Sequence, residues 1–383
     1  MKKFLAVILS IVLVFAFASC GSRLEDQVTP DTPEETGEAE ETQDEPQEEP
    51  ENEGTEDQEQ QSTGTQSFEL VVGGVNSEAA QKALLRFEDL VEEYSNGSII
   101  LKSLTDENLI GDDVKLDMTM KGECDIAIGT ASGFAPLIKD LYLYDTFYLF
   151  MDDEEFREIG AKGVTVKDIQ ASAEEKGVKM LSVWGNGFHN LTTTWKRVDT
   201  PSDIEGMKLA VTDGIRYKIL WEDLGAEVRH LDPAEIYRAL DKTIISGQEN
   251  TLENSLAASF QDVCTFLNMT EHYYSPFIVI MNKDSFNAMN EQQQKAITDA
   301  AREAQQYSFE QSEAYEAYAE KEFEKAGVTL VKFSDKEKEA FAKAAEGTRN
   351  EKKIRSLMDN PELLDDMKAE LRIFRKSKES DDQ

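Results

Sequence analysis

Cysteine, histidine and tryptophan are scarce in this 383-residue chain, three of each, and 40 Lys and Arg face 77 Asp and Glu. Each shortage excludes something. With no basic tract and a net charge of −37, the chain lacks the electrostatic footprint of a nucleic-acid binder. His189, His230 and His272 stand far apart without ligand spacing, which gives no support to a structural zinc site. No G-x-S-x-G elbow, H-E-x-x-H helix or P-loop occurs, and VVGGVNSE lacks the G-x-G-x-x-G spacing. Adjacent acids such as Asp112-Asp113 and those of 152–155 read as solvated surface in so acidic a chain. Nothing brings a nucleophile, a base and an orienting group together, so the expectation is a protein that is not an enzyme, with no cofactor and no metal.

What is present begins with Lys2, Lys3 and the apolar run FLAVILSIVLVFAFASC, residues 4–20. A basic start, an apolar core and small residues before a cysteine have the layout of a bacterial lipoprotein signal peptide, residues 1–19, with Phe17 where leucine is usual. Cleavage would make Cys20 the first residue and its sulfur the lipid attachment point. At ~0.8 kcal/mol per buried CH2, two or three acyl chains anchor firmly where one is marginal. The reading places everything downstream outside the cytoplasmic membrane, on the cell surface or in the periplasm.

Residues 21–66 hold 17 acids and one basic residue, Arg23, with almost nothing apolar. Such a segment cannot bury enough surface to offset chain entropy, so residues 20–67 read as a lipidated cysteine followed by an extended, disordered tether. The tract supplies −16 of the net charge and residues 1–20 supply +2, leaving −23 for residues 67–383. That remainder, 68–383, is long enough for one large domain or two lobes. Cys124 and Cys264 sit in apolar surroundings and read as two buried thiols.

Strands and helices alternate along it, which argues for an α/β fold. FELVVGG (68–74), SIILKSL (98–104), CDIAIG (124–129), VKMLSVWG (178–185), MKLAV (207–211), AEVRHL (226–231) and SPFIVIMN (275–282) read as strands. Residues 79–97 form an amphipathic helix with Leu84, Phe87, Leu90, Val91 and Tyr94 on one face and Asn96-Gly97 as its stop. Further helix is expected over 112–121 and near 153–175. From Glu291 to Lys325 no Pro or Gly interrupts, and at ~1.5 Å per residue such a helix spans about 50 Å. Its aromatics keep no heptad register, so it reads as a helix crossing more than one lobe.

Two blocks, NGFHNLTTTWKRVDTPSDIEGMKLAV (186–211) and LGAEVRHLDPAEIYRALDKTIISGQENTLENS (224–255), resemble the solute-binding proteins of TRAP transporters, the tripartite ATP-independent periplasmic uptake systems. PSDIEGMKL, LGAEV, EIYRAL and GQEN stand in that family's order and spacing, and DTFYLF (145–150) and LIGDD (109–113) resemble its flanking motifs. The resemblance covers about 68–345. It implies a two-lobed periplasmic-binding-protein-like fold with hinge strands and a long helix behind both lobes. Lobe one would be about 68–187 and 276–315, lobe two about 188–275 and 316–375. It also implies capture of a small polar solute in an interlobe cleft and delivery to TRAP membrane permease subunits. The alternative is a sensor that presents the bound solute to a membrane signalling protein.

The same resemblance sets the candidate ligand-binding residues. The family's arginine on the K-[IL]-R-V strand falls on Ala210 and that of NGxR falls on His189, while Glu249 and Asn250 of QEN remain. A carboxylate buried without an opposite charge is costly, so an organic acid held in the family manner is not expected. Arg216 could reach back into the cleft, His189 could offer a hydrogen bond or a charge below neutral pH, or the ligand could be neutral, polyhydroxylated or cationic. Trp184 and Tyr237 are candidate platforms for such a ligand, and Asn76 could present a polar group where the first helix begins.

Overall fold

The computed structural model describes residues 66–104, 111–211, 215–346 and 348–381, without the side chains of 215–217 and 381. The signal peptide, Cys20 and almost all of the acidic tract therefore lie outside the described residues, as do Leu109, Ile110 and the Arg216 side chain. In chain order the strands are β1 Phe68–Gly73, β2 Ile99–Leu104, β3 Ile126–Thr130, β4 Val178–Trp184, β5 Phe188–Thr193, β6 Lys208–Val211, β7 Glu227–His230, β8 Gly247–Thr251, β9 Phe266–Tyr274, β10 Phe277–Asn282 and β11 Thr329–Lys332. They form two sheets, ordered β2-β1-β3-β10-β4 and β11-β9-β5-β8-β6-β7. In the first, β1 runs parallel to β2 and β3, and β10 lies antiparallel between β3 and β4. In the second, β5 is antiparallel to β8 and β9, and β6 is parallel to β7 and β8.

Helix α1 (Glu78–Tyr94) buries Ala79, Ala80, Ala83, Leu84, Phe87, Leu90 and Val91, a three-four spacing that seats one face on the first sheet. Tyr94, expected on that face, is 38% exposed, and its hydroxyl reaches Glu303. The helix stops where Asn96 and Gly97 take positive φ and the Gly97 N–H returns to the Glu92 carbonyl at 2.8 Å. Helix α2 (Asp112–Lys121) ends the same way at Gly122, φ 72°. The helix expected near 153–175 is broken: a π-turn closes with Ala161 N–H on Phe156 O at 2.8 Å, and α3 (Val164–Glu175) restarts beyond Gly163.

The chain passes between the sheets at 185–187 and again at 275–276, and the two crossings are joined by Ser275 N–H to Gly187 O at 3.2 Å. Helices α4 (Pro233–Asp241) and α5 (Leu252–Ala257) flank the second sheet. Helix α6 (Glu291–Lys325) opens with an Asn290–Gln293 capping box and runs behind both sheets. Its Ile297, Ala300, Ala301 and Ala304 join the core of the first sheet with Phe87, Leu90 and Trp184, while Ala319 and Phe323 pack with Leu252, Leu267 and Met269 of the second. Glycine is required where α6 meets the crossing. A Cβ on Gly185 would stand 2.9 Å from Phe309, and Gly187, at φ +84°, faces Glu316 Oε1 at 1.9 Å from its own hypothetical Cβ.

The last two helices, α7 (Asn350–Leu357) and α8 (Leu363–Asp381), pack their apolar residues on the core of the first sheet, and α7 also meets the Ile215–Asp223 helix of the second lobe. Ile354, Met358, Leu364, Met367 and Leu371 enter the core that holds Leu141, Phe150, Phe156 and Ile169. Arg375 pairs with the buried Glu155 at 2.6 Å, and Asn360 N–H donates to Asp140 at 2.8 Å. An apolar residue every three or four positions gives α8 a stripe that covers α3 and the 139–145 turn.

Candidate functional site

The segments that follow β1 in the first sheet and β8 in the second meet where the two lobes touch. In open α/β sheets the loops and helix N-termini that follow the strands are where ligands bind. From lobe two, Glu253 on the first turn of α5 reaches the N-terminus of α1 in lobe one. One carboxylate oxygen accepts from Ser77 Oγ at 2.8 Å, the other from the Glu78 N–H and, at 3.4 Å, from the Ala79 N–H. Ser77 in turn caps α1 by accepting from Ala80 N–H at 3.1 Å. The first turn of α1, whose free N–H groups favour an anion, is thus already served by a side chain of the opposite lobe. Burial raises the Glu253 carboxyl above the ordinary range, against the lowering pull of Ser77 and the two backbone N–H groups. Beneath this contact Lys115 is buried, with its ammonium 2.9 Å from Asp112, donating to Ile128 O at 2.5 Å and Gly74 O at 3.3 Å. Asp112 also accepts from Thr130 N–H at 2.8 Å and Thr130 Oγ1 at 2.7 Å, which ties the ends of β1 and β3 together.

Inside lobe two, β5, β8 and β9 bring three titratable side chains into contact. Glu249 Oε2 lies 2.6 Å from His189 Nδ1 and 3.3 Å from His272 Nε2. The other His272 nitrogen, Nδ1, lies 2.8 Å from Thr270 Oγ1, and the Tyr273 phenol oxygen lies 2.8 Å from His189 Nδ1. All of these groups are buried. Burial alone would raise the Glu249 carboxyl, but contacts with His189 and then His272 outweigh it and hold it down at about 2. Burial pushes His272 below its ordinary value, against the pull of Glu249. A bulge between β5 and β9 aims these residues: the register slips between His189 and Leu191, Glu271 takes φ 44°, and its N–H donates to Asn190 Oδ1 at 3.1 Å.

Residues 74–352 match the family described as DctP, bacterial extracellular solute-binding protein, family 7. The chain belongs to that family. It is similar to the 2,3-diketo-L-gulonate-binding periplasmic protein YiaO of Escherichia coli, 27% identical over 79% of this chain and 92% of that one. It is also similar to the C4-dicarboxylate-binding periplasmic protein DctP of Rhodobacter capsulatus, 25% identical over 59% and 68% of the two chains. A TRAP periplasmic solute-binding protein of Ochrobactrum anthropi, solved with its C-terminus in the ligand-binding pocket, superposes with a TM-score of 0.76. It is 26% identical and covers 82% of this chain and 97% of its own. A Roseobacter denitrificans relative with bound β-D-glucuronate, 23% identical, shares the fold at a TM-score of 0.68 over 79% of this chain and 99% of that one. The chain is a receptor of the TRAP type that delivers a small solute to a membrane transporter, and not an enzyme. Among the described residues no helix is long and apolar enough to cross a membrane.

Within this family frame the residues singled out by sequence divide. His189 and Glu249 are in direct contact. Asn250 is half-buried beside them at the end of β8, its Oδ1 accepting from Thr251 N–H at 2.9 Å and Asn254 Nδ2 at 3.0 Å. Asn76 is exposed just before the α1 cap, and Tyr237 is 38% exposed on α4. Two candidates are corrected. Trp184 is fully buried, edge-on to Phe87 at 6.2 Å in the first core, and offers no platform to a ligand. Ala210 is fully buried in an apolar cluster with Ile236, Ala239, Leu240 and Phe260, because β6 alternates faces and turns Leu209 and Val211 the other way. Sequence reasoning missed Glu253, Lys115 and His272. The histidines seemed unrelated because only the pairing of β5 with β9 brings His189 and His272 together.

Proposed function

We propose that this family member is tethered to the membrane by lipid on Cys20 and binds a small polyhydroxylated solute between the strand ends of its two lobes. The carrying observation is the seat of Glu253: the N-terminus of α1, a natural place for a ligand's carboxylate, holds a carboxylate of the chain itself. The two positions that carry arginine in the family pattern are equally closed to an acid. Ala210 is core, and His189 is engaged by Glu249. Recognition then falls to hydroxyl-directed hydrogen bonds, with Asn250 at the end of β8 and Asn76 before α1 as polar groups at the gap. Three of the relatives named above are named for or solved with acids, 2,3-diketo-L-gulonate, C4-dicarboxylates and β-D-glucuronate, and the two hydroxyl-rich ones fit this reading better than the dicarboxylates.

The test is a thermal-shift and calorimetric screen that pairs each sugar acid with its neutral sugar or polyol and includes succinate. Affinities of an acid and its neutral counterpart within about tenfold, with succinate inert, support the proposal. Tight succinate binding with inert polyols overturns it. Lipidation is tested separately: Cys20→Ser should release the protein from the membrane fraction, and continued retention would contradict the anchor.

A further inference from the structure

We propose that His189, Glu249 and His272 form a binding site for one transition-metal dication, with zinc the best match. The three come from three different strands, β5, β8 and β9, and one donor atom from each lies within 4.8 Å of the others. Two imidazoles and one carboxylate are a zinc-type donor set, distinct from the all-oxygen sets that calcium and magnesium prefer. Around a tetrahedral ion with bonds of about 2.1 Å, neighbouring donors stand roughly 3.4 Å apart. His272 Nε2 is already 3.3 Å from Glu249 Oε2, and His189 Nδ1, at 2.6 Å, must withdraw by less than about 1 Å.

The surroundings fit the same role. Thr270 Oγ1 lies 2.8 Å from His272 Nδ1, so when that nitrogen carries the proton Nε2 is left free to ligate. Phe147 stacks on the His272 ring at 5.6 Å and Trp221 meets it edge-on at 5.0 Å, fixing its plane and keeping the site dry. The Tyr273 phenol oxygen, 2.8 Å from His189 Nδ1, is near enough to supply or orient a fourth ligand. Among the described residues Glu249 is paired with no lysine or arginine; its only ionic partners are the two histidines. A dication would neutralise this buried carboxylate, where a neutral hydrogen-bond network leaves it partly uncompensated. The inference is independent of which solute the receptor carries.

The test uses the full chain, stripped with chelator and titrated with Co2+ and Zn2+. One equivalent of Co2+ should produce the visible ligand-field bands of a tetrahedral nitrogen-containing site, and native mass spectrometry should retain one zinc. His272→Gln and Glu249→Gln should weaken the metal at least about 100-fold, while His230→Gln on exposed β7 should not. Zinc should also raise the melting temperature of the unmutated chain by several degrees beyond anything Mg2+ does, a readout that survives if a variant fails to fold. Absence of both the bands and the zinc-specific shift means a hydrogen-bonded network only and overturns the proposal. Bands that persist in folded His272→Gln and Glu249→Gln place the metal elsewhere and overturn it equally.

Discussion

Removing the Glu253 carboxylate should open the receptor. The perturbation is Glu253→Ala, which deletes the acceptor for Ser77 Oγ, Glu78 N–H and Ala79 N–H across the gap between the lobes. Hydrogen bonds to a charged group contribute about 1.5–3 kcal/mol each, and a charge at a partly buried helix terminus up to about 2 kcal/mol. The raised Glu253 carboxyl shows that burial outweighs these contacts for the charged form, so the three bonds are counted at the ordinary net of about 0.5–1.5 kcal/mol each. A net of about 2 kcal/mol is left, which corresponds to roughly a 30-fold shift of the ligand-free equilibrium toward the open form. Small-angle X-ray scattering reads the change directly, as a larger radius of gyration for the ligand-free variant with unchanged far-UV circular dichroism. Ser77→Ala should give part of the effect, and the double variant less than the sum, because both changes delete the same contact. Scattering curves for Glu253→Ala and the unmutated chain that superimpose would refute the reasoning.

Three further outcomes are expected. Burial first, then the nearby Glu271, Glu313 and Asp152, raises the Asp153 carboxyl to about 6, against the pull of Arg157. The native state therefore holds this proton more tightly than the unfolded chain. Through this group stability should rise by about 1 kcal/mol from about pH 7.5 to about pH 5.5, and Asp153→Asn should reduce that rise in thermal melts, the remainder coming from Glu316, which burial and then Asp153 raise well above its ordinary value; an unchanged slope would contradict the assignment. The stability due to Glu249, held at about 2, is fully present above the ordinary carboxylate range and is lost progressively as pH falls from that range through about 2, below that window. Gly187→Ala should cost about 1–3 kcal/mol, since φ is +84° and the new Cβ would meet Glu316; a melt equal to that of the parent would show that the crossing relaxes freely. Ala210→Arg should disrupt folding and not recruit acids, because it buries a guanidinium among Ile236, Ala239 and Leu240; a folded variant that binds succinate would show that the residue lines the cleft.

The parts legible in sequence are those with local periodicity. Helix α1 announces itself through Ala83, Phe87 and Leu90, and α6 through its uninterrupted run and its capping residues. The strands of the first sheet are apolar runs and read easily. In the second, β6 and β7 also read as strands, but β5, β8 and β9 are largely polar and buried: Thr192, Gln248 and Asn268 are fully inside, and Gln248 Nε2 donates to Thr192 Oγ1 at 2.7 Å while Asn268 Nδ2 donates to Leu191 O at 3.0 Å. Hydropathy alone cannot mark such strands, because their side chains are satisfied by partners distant in the chain. The site was legible in part for the same reason. The resemblance carried His189, Glu249 and Asn250, which stand inside its motifs. His272 and Glu253 acquire meaning only through strand pairing and lobe contact. Past about residue 345 the resemblance fades, so nothing in the sequence tells which core α7 and α8 cover.

Capture of a small solute by the folded receptor is what every other property of the protein serves. Native mass spectrometry of the full chain, purified without denaturant and incubated with a pooled set of sugar acids, neutral sugars, polyols and dicarboxylates, tests it most directly. The prediction is one retained molecule per chain, rich in hydroxyl groups and selected from the pool. A chain that retains nothing, or retains only a dicarboxylate, would contradict it.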